Sequence, residues 1–162
     1  PMQLTLATSA LATNGNTYTP HLLKSYKNNK TREIFNYNPE LNKFTTVVED
    51  TDYLNIVKRA MWRVVNEKNV GTASNLKKVQ DIEFAGKTGT AQVYNLDSGK
   101  SDKKILQDHA LFISYAPYTS PEIVVTVIVE HGGGGSSTAA PIARDIIDFY
   151  MKSKNKKIAS NE

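Results

Sequence analysis

Apolar and polar positions along this chain follow a helical period at both ends and a strand-like pattern between. Residues 1–12 predict a helix: proline suits a first-turn position, Leu4, Ala7 and Leu11 fall on one face, and Asn14-Gly15-Asn16 is a stop signal. Residues 17–48 predict short strands or irregular extended segments. Tyr18, Leu22, Leu23 and Tyr26 lie on one side of the polar turn Lys27-Asn28-Asn29-Lys30, and Ile34, Phe35 and Tyr37 on the other. Asp50-Thr51-Asp52 then offers side chains that can accept hydrogen bonds from unpaired first-turn amides. Leu54, Val57, Met61, Val64 and Val65 form the apolar stripe of a long amphipathic helix, which Val70-Gly71 closes with a glycine free to turn left-handed.

The spacing then changes to that of strands. Residues 83–93 predict one and residues 110–116 a second, rich in aromatic and branched side chains. Residues 123–129 predict a third, apolar on both faces as in a strand covered on both sides. The short connection 117–121 makes the last two antiparallel hairpin partners, while residues 94–108 form a longer polar surface loop. A glycine run, Gly132 to Gly135, makes a tight strand-to-helix turn. Without a following lysine-serine pair it does not read as a phosphate loop. The closing helix has Pro141 in its first turn and Ile142, Ile146, Phe149 and Tyr150 as its expected buried stripe.

These elements predict an α+β domain, an antiparallel sheet flanked by helices. At 162 residues the chain is expected to be one domain, 1–162, with no internal repeat. With 40% hydrophobic and 22% charged residues the composition is that of a globular protein. No apolar run approaches the roughly 20 residues that cross a bilayer, so this piece is expected to be soluble. Pro1-Met2-Gln3-Leu4 has no signal-peptide layout, which fits a chain cut from something longer. The absence of cysteine excludes disulfides, zinc thiolates and a thiol nucleophile, and suits an oxidising compartment. The net charge of +4, from 20 basic and 16 acidic residues, reads as a solvated surface. Lys152, Lys154, Lys156 and Lys157 read as a frayed, solubilising tail. No aromatic residues alternate with a basic stripe, so no nucleic acid is expected as a partner.

The chemistry concentrates at Ala85-Gly86-Lys87-Thr88-Gly89-Thr90-Ala91. A lysine-threonine-glycine triplet is weak by itself, but here it lies in an extended segment between small residues, ahead of two more strands and a helix. The triplet is a motif of serine β-lactamases and penicillin-binding proteins. On a strand bordering a cleft, Lys87 offers a fixed positive charge to a substrate carboxylate. The Thr88 and Thr90 hydroxyls can donate to the same group, and charge-assisted bonds are about twice as strong as neutral ones. Gly86 and Gly89 remove bulk, so a peptide or β-lactam can approach the backbone, and a strand edge offers free amides for strand addition.

Residues 85–92 (AGKTGTAQ), 109–117 (HALFISYAP) and 121–144 (PEIVVTVIVEHGGGGSSTAAPIAR) resemble class B penicillin-binding proteins. Within that class they are most similar to the penicillin-binding protein 2 group, the elongation transpeptidases of rod-shaped bacteria. Pro1-Met2-Gln3-Leu4 and Gly71-Thr72-Ala73 look like the same family, so the likeness runs over nearly the whole chain. It implies the serine β-lactamase/transpeptidase-like fold, incomplete in this chain, and a D,D-transpeptidase that cross-links peptidoglycan stem peptides through a serine acyl-enzyme and is acylated by β-lactams. It implies that Lys87, Thr88, Gly89 and Thr90 bind substrate, Lys87 also completing the proton network and the Thr90 backbone amide donating to the oxyanion. No metal or other cofactor is implied. The implied partners are the remainder of the transpeptidase domain and cell-elongation scaffold proteins. The implied location is the periplasmic face of the bacterial inner membrane, anchored by an upstream segment not in this chain.

The family also needs a nucleophilic serine three residues before a lysine at a helix N-terminus, and a Ser-x-Asn group. Ser74-Asn75-Leu76-Lys77, Ser101-Asp102-Lys103-Lys104 and Ser153-Lys154-Asn155-Lys156 fit the first spacing. Ser74 follows a helix stop, Ser101 lies in a polar loop and Ser153 in the expected tail, so none meets the geometry. Ser153-Lys154-Asn155 fits the second pattern and fails likewise. The chain is therefore expected to supply a cleft wall without the nucleophile, and to be inactive alone. His21, His109 and His131 read as surface positions, Trp62 and the tyrosines as packing, and Glu130 and Asp145 as surface or helix-capping groups. A serine β-lactamase, a penicillin-sensing domain without turnover, and an interaction module of the elongation machinery are the competing readings.

Overall fold

A computed structural model of the chain describes residues 1–37, 41–43, 51–77, 79, 82–93 and 107–159. Helix α1 (Met2–Ala12) leads into two small antiparallel pairs, β1 (Asn16–Tyr18) with β4 (Leu41–Lys43) and β2 (Ser25–Lys27) with β3 (Ile34–Asn36). Helix α2 (Thr51–Asn66) follows, then strands β5 (Ala85–Ala91), β6 (His109–Ala116) and β7 (Ile123–Val129), which form one antiparallel sheet in the order β5-β6-β7. A π-helical turn, Gly135–Ala139, feeds α3 (Ala140–Ala159). The mixed helical and antiparallel-sheet class, the 123–129 strand and the hairpin between β6 and β7 match the sequence expectations, whereas β5 is two residues shorter at each end than the expected 83–93 and β6 starts one residue earlier than expected. Asp50 of the expected cap and most of the 94–108 loop lie outside the described residues.

The central strand has two faces because successive side chains alternate. Ala110, Phe112 and Ala116 point into a core shared with Ala140, Ala143, Ile147 and Met151 of α3. Tyr115 and Ile113 point the other way, into a cluster with Ala12 of α1 and Met61 of α2. The sheet is thus sandwiched between α3 and the α1/α2 pair.

Five expectations are corrected. In α1 the buried residues are Thr8 and Ala12, while Ala7 is exposed and Leu4 is 40% exposed. Leu11 packs inward as expected, against the cluster of Ala12 and Met61, and the rest of the inward face is built from small residues and hydroxyls: Thr5 Oγ1 donates to Thr126 Oγ1 on β7 at 2.9 Å, and Thr8 Oγ1 to the Leu4 carbonyl at 2.7 Å. In α2 Met61 and Val65 are buried, whereas Val57 is exposed. Gly71 is needed for space and not for a left-handed turn. A Cβ there would stand 2.3 Å from the Val64 carbonyl oxygen, and Asn69 is the residue that takes positive φ, at 65°.

In α3 the buried positions are Ala140, Ala143, Ile147 and Met151, and the expected stripe of Ile142, Ile146, Phe149 and Tyr150 faces outward. The alanines let the helix axis approach the sheet, and Ile147 and Met151 complete that line at helical spacing. The lysine-rich end is helical to Ala159 and not frayed: Lys152 Nζ donates to Asp148 at 2.6 Å and Lys154 Nζ to Glu122 at 2.5 Å.

Candidate active site

Strand β5 has β6 on one side, and among the described residues its other edge is open. Helix α2 packs against β5. Lys87 is exposed, and its Nζ donates to the Thr88 carbonyl at 2.7 Å, so the cation lies back along its own strand. Lys87 pairs across with Ile113, while Thr88 and Thr90 pair with Phe112 and Ala110. Alternation therefore puts Lys87 on the α1/α2 face and the two threonines on the α3 face. Among the described residues, the open edge lies between those two faces.

Glycines set how closely the supporting elements approach this strand. A Cβ on Gly86 would fall 2.4 Å from the Phe112 ring, so only glycine lets that ring lie under the motif. Gly135, at the start of the π-turn, rests on the backbone of β5 and β6: a Cβ there would be 2.5 Å from both the Gly89 and Leu111 carbonyl oxygens. His131 and Gly133 take positive φ, 54° and 75°, to bring the chain round from β7. The glycine run is thus a tight turn that braces Gly89 from behind. Backbone atoms cannot step aside, so Gly135→Ala is expected to destabilise the fold by about 1–3 kcal/mol. Gly134→Ala, whose Cβ would meet only the movable Ser137 hydroxyl at 2.9 Å, is expected to stay within about 0.5 kcal/mol of the unchanged protein. Paired thermal denaturation curves measure both.

Two contacts near the motif depend on tertiary structure and are not predicted from the sequence. Thr72, on the turn after α2, places its Oγ1 3.1 Å from Thr88 Oγ1. The only hint was the Gly71-Thr72-Ala73 segment that joins in the family likeness. At the far end of β5, where Ala91 pairs with His109, the His131 backbone N–H donates to His109 Nδ1 at 2.9 Å and the two rings meet edge to face at 4.9 Å. Among the described residues no group of three histidine, aspartate or glutamate side chains is arranged to hold a metal.

Ser74 lies in the turn that leaves α2, its N–H donating to the Gly71 carbonyl at 3.1 Å, and so does not head a helix. Ser101 is outside the described residues. Ser153 is half-buried within α3, where the expected tail is helical, and again far from a helix start. Glu130 and Asp145 are exposed, and Asp145 accepts from Arg144 Nη1 at 2.5 Å. Trp62 is half-buried against Tyr118, its Nε1–H donating to Glu83 Oε2 at 2.9 Å. Tyr115 is fully buried behind the sheet, where burial, with Tyr118 adding to it, raises its phenol well above the usual range. Burial thus favours the neutral, protonated hydroxyl.

Residues 1–148 match the family described as penicillin binding protein transpeptidase domain. The chain is 38% identical over 162 residues to the peptidoglycan D,D-transpeptidase MrdA of Haemophilus influenzae, which covers 95% of this chain and 24% of that protein. Among solved structures it resembles Pseudomonas aeruginosa PBP2 in complex with WCK 5153, at 32% identity and a TM-score of 0.68, covering 93% of this chain and 30% of that one. It also resembles Helicobacter pylori PBP2 in a complex with MreC, at 27% identity and a TM-score of 0.64, covering 90% of this chain and 24% of that one. The chain therefore spans about a quarter of the length of the curated relative it matches.

Proposed function

The chain belongs to the penicillin-binding protein transpeptidase domain family, and from that premise we propose that it forms one wall of the active-site cleft of a peptidoglycan D,D-transpeptidase. The whole enzyme cross-links stem peptides through a serine acyl-enzyme and is acylated by β-lactams. The observation that carries this reading is the edge of β5 that is open among the described residues, on a strand that bears Lys87 on one face and Thr88 and Thr90 on the other.

In this account an extended stem peptide lies along that edge. Its terminal carboxylate takes the Thr88 and Thr90 hydroxyls and the Lys87 ammonium, and Lys87 completes the proton network around the reacting serine. N–H and C=O groups of one residue face the same side of a strand and alternate with those of the next. Since the Thr88 carbonyl is taken by Lys87 Nζ, alternation sets the Thr90 N–H toward the same edge. That amide is one of two donors to the oxyanion, a role worth about 2.7–4 kcal/mol of transition-state stabilisation. Gly89 keeps the approach clear between the two threonines.

The nucleophile belongs to another part of the enzyme, and the chain alone does not acylate. Ser74 and Ser153 support this because neither starts a helix with a lysine one turn on. The remainder of the transpeptidase domain is the first partner, and a cell-elongation scaffold protein the second, a role in keeping with the MreC complex of the Helicobacter pylori relative. We place the complete enzyme at the periplasmic face of the inner membrane, held by an anchor outside these residues. No helix among the described residues is long and apolar enough to cross a bilayer.

Labelling the complete protein with a fluorescent penicillin tests the activity. A transpeptidase retains the label through a prolonged chase, whereas rapid release would support a serine β-lactamase instead. Lipid II cross-linking by the same preparation separates a working enzyme from a penicillin sensor.

A further inference from the structure

We infer that Thr72 is a positioning residue for the carboxylate end of the substrate, acting through the Thr88 hydroxyl; this rests on the reading of β5 as the carboxylate-binding wall. The backbone on both sides of Thr72 is pinned to α2 and to Glu67, the residue that follows the helix. The Gly71 N–H donates to the Glu67 carbonyl and the Ala73 N–H to the Val64 carbonyl, each at 2.9 Å. Ala73 is buried in the α3-side core, and Gly71 leaves no room for a Cβ against Val64. The turn is therefore fixed, and it carries the Thr72 hydroxyl to 3.1 Å from that of Thr88.

A hydroxyl has one proton to donate and two lone pairs to accept with. In the pair, one member gives its proton to the other and the second is left with a proton to spend elsewhere. Thr88 is on the strand that borders the open edge, so an anion there selects a single order: Thr72 donates to Thr88, and Thr88 donates to the anion. The first bond holds the Thr88 rotamer and polarises its O–H, which strengthens the second. Thr72 itself is exposed and Thr88 is partly exposed, so the pair is open to ligand. No bond to carbon forms or breaks at either residue; both only hold and orient.

The experiment uses the complete transpeptidase and compares benzylpenicillin with its methyl ester, which lacks the carboxylate charge. Thr72→Val keeps the side-chain shape and removes the donor. It is expected to slow acylation by benzylpenicillin about three- to tenfold, the range of one lost hydrogen bond, and to leave the ester rate nearly unchanged. Thr72→Ser restores the unchanged protein's rate. In a Thr88→Val background, Thr72→Val has no further effect on the ratio of the two rates, because the pair acts as one unit. Equal slowing of both probes, or an unchanged benzylpenicillin rate while Thr88→Val alone is slow, overturns the role of Thr72 and leaves the wall reading standing. Unchanged rates for Lys87→Ala and Thr88→Val together overturn the wall reading and the inference with it.

Discussion

Lys87→Ala in the complete transpeptidase is expected to lower the rate of β-lactam acylation by about 10²- to 10⁴-fold, the range of a lost proton-transfer group at a reacting centre. The side chain has two duties in the proposed site, and alanine removes both. Its charge holds the substrate carboxylate, where a bond to a charged group contributes about 1.5–3 kcal/mol. Its ammonium also stands in the proton network that activates the serine. Stability is expected to move by less than about 0.5 kcal/mol, since Lys87 is exposed and its one contact among those described is to the carbonyl of its own neighbour. Lys87→Arg is not a conservative rescue. The planar guanidinium is wider and does not release a proton, so only the carboxylate-holding part returns. Rapid-quench acylation kinetics with a parallel melting curve give both quantities, and a large stability loss in Lys87→Ala would mean the residue is structural.

The second large effect falls on the closing helix. Ile147→Ala is expected to destabilise the 162-residue chain by about 2–5 kcal/mol, as for a fully buried aliphatic side chain whose removal leaves a cavity. Ile147 is 0% exposed between Ala143, Met151 and the sheet. Its neighbour Ile146 is 43% exposed, and Ile146→Ala is expected to cost less than about 1 kcal/mol. Urea unfolding of the two variants side by side decides the register of α3. Equal losses, or a larger loss at Ile146, would return the buried stripe to the positions that hydropathy favours.

That register shows where reading the chain fails. Ile142, Ile146, Phe149 and Tyr150 are the larger apolar residues and sit at helical spacing, so hydropathy selects them. The sheet instead takes the line of Ala140, Ala143, Ile147 and Met151, because small side chains permit close approach and size counts for as much as hydropathy. Helix α1 repeats the lesson with Thr8 and Ala12, since a threonine that bonds its own helix carbonyl can be buried at little cost. Strands β6 and β7 were legible because nearly continuous apolar runs, interrupted only by Ser114 in 110–116 and Thr126 in 123–129 and bounded by turn residues, have few other solutions. At the site, Lys87, Thr88, Gly89 and Thr90 were legible as a contiguous motif on a strand. Thr72 was not, because its meaning lies in a contact 16 residues away that exists only once α2 and β5 have packed. The brace of Gly135 on Gly89 is of the same kind. What a strand looks like is local; what stands behind it is not.

The proposed division of labour has this chain bring the cleft wall and another part of the enzyme the reacting serine. Its most direct test is mass spectrometry of benzylpenicillin-treated protein, on the isolated 18.0 kDa chain and, after digestion, on the complete transpeptidase. That division gives an unmodified 18.0 kDa species, and in the complete enzyme a penicilloyl group on a serine outside these 162 residues. A penicilloyl group on Ser74, or on any other serine of this chain, would contradict it.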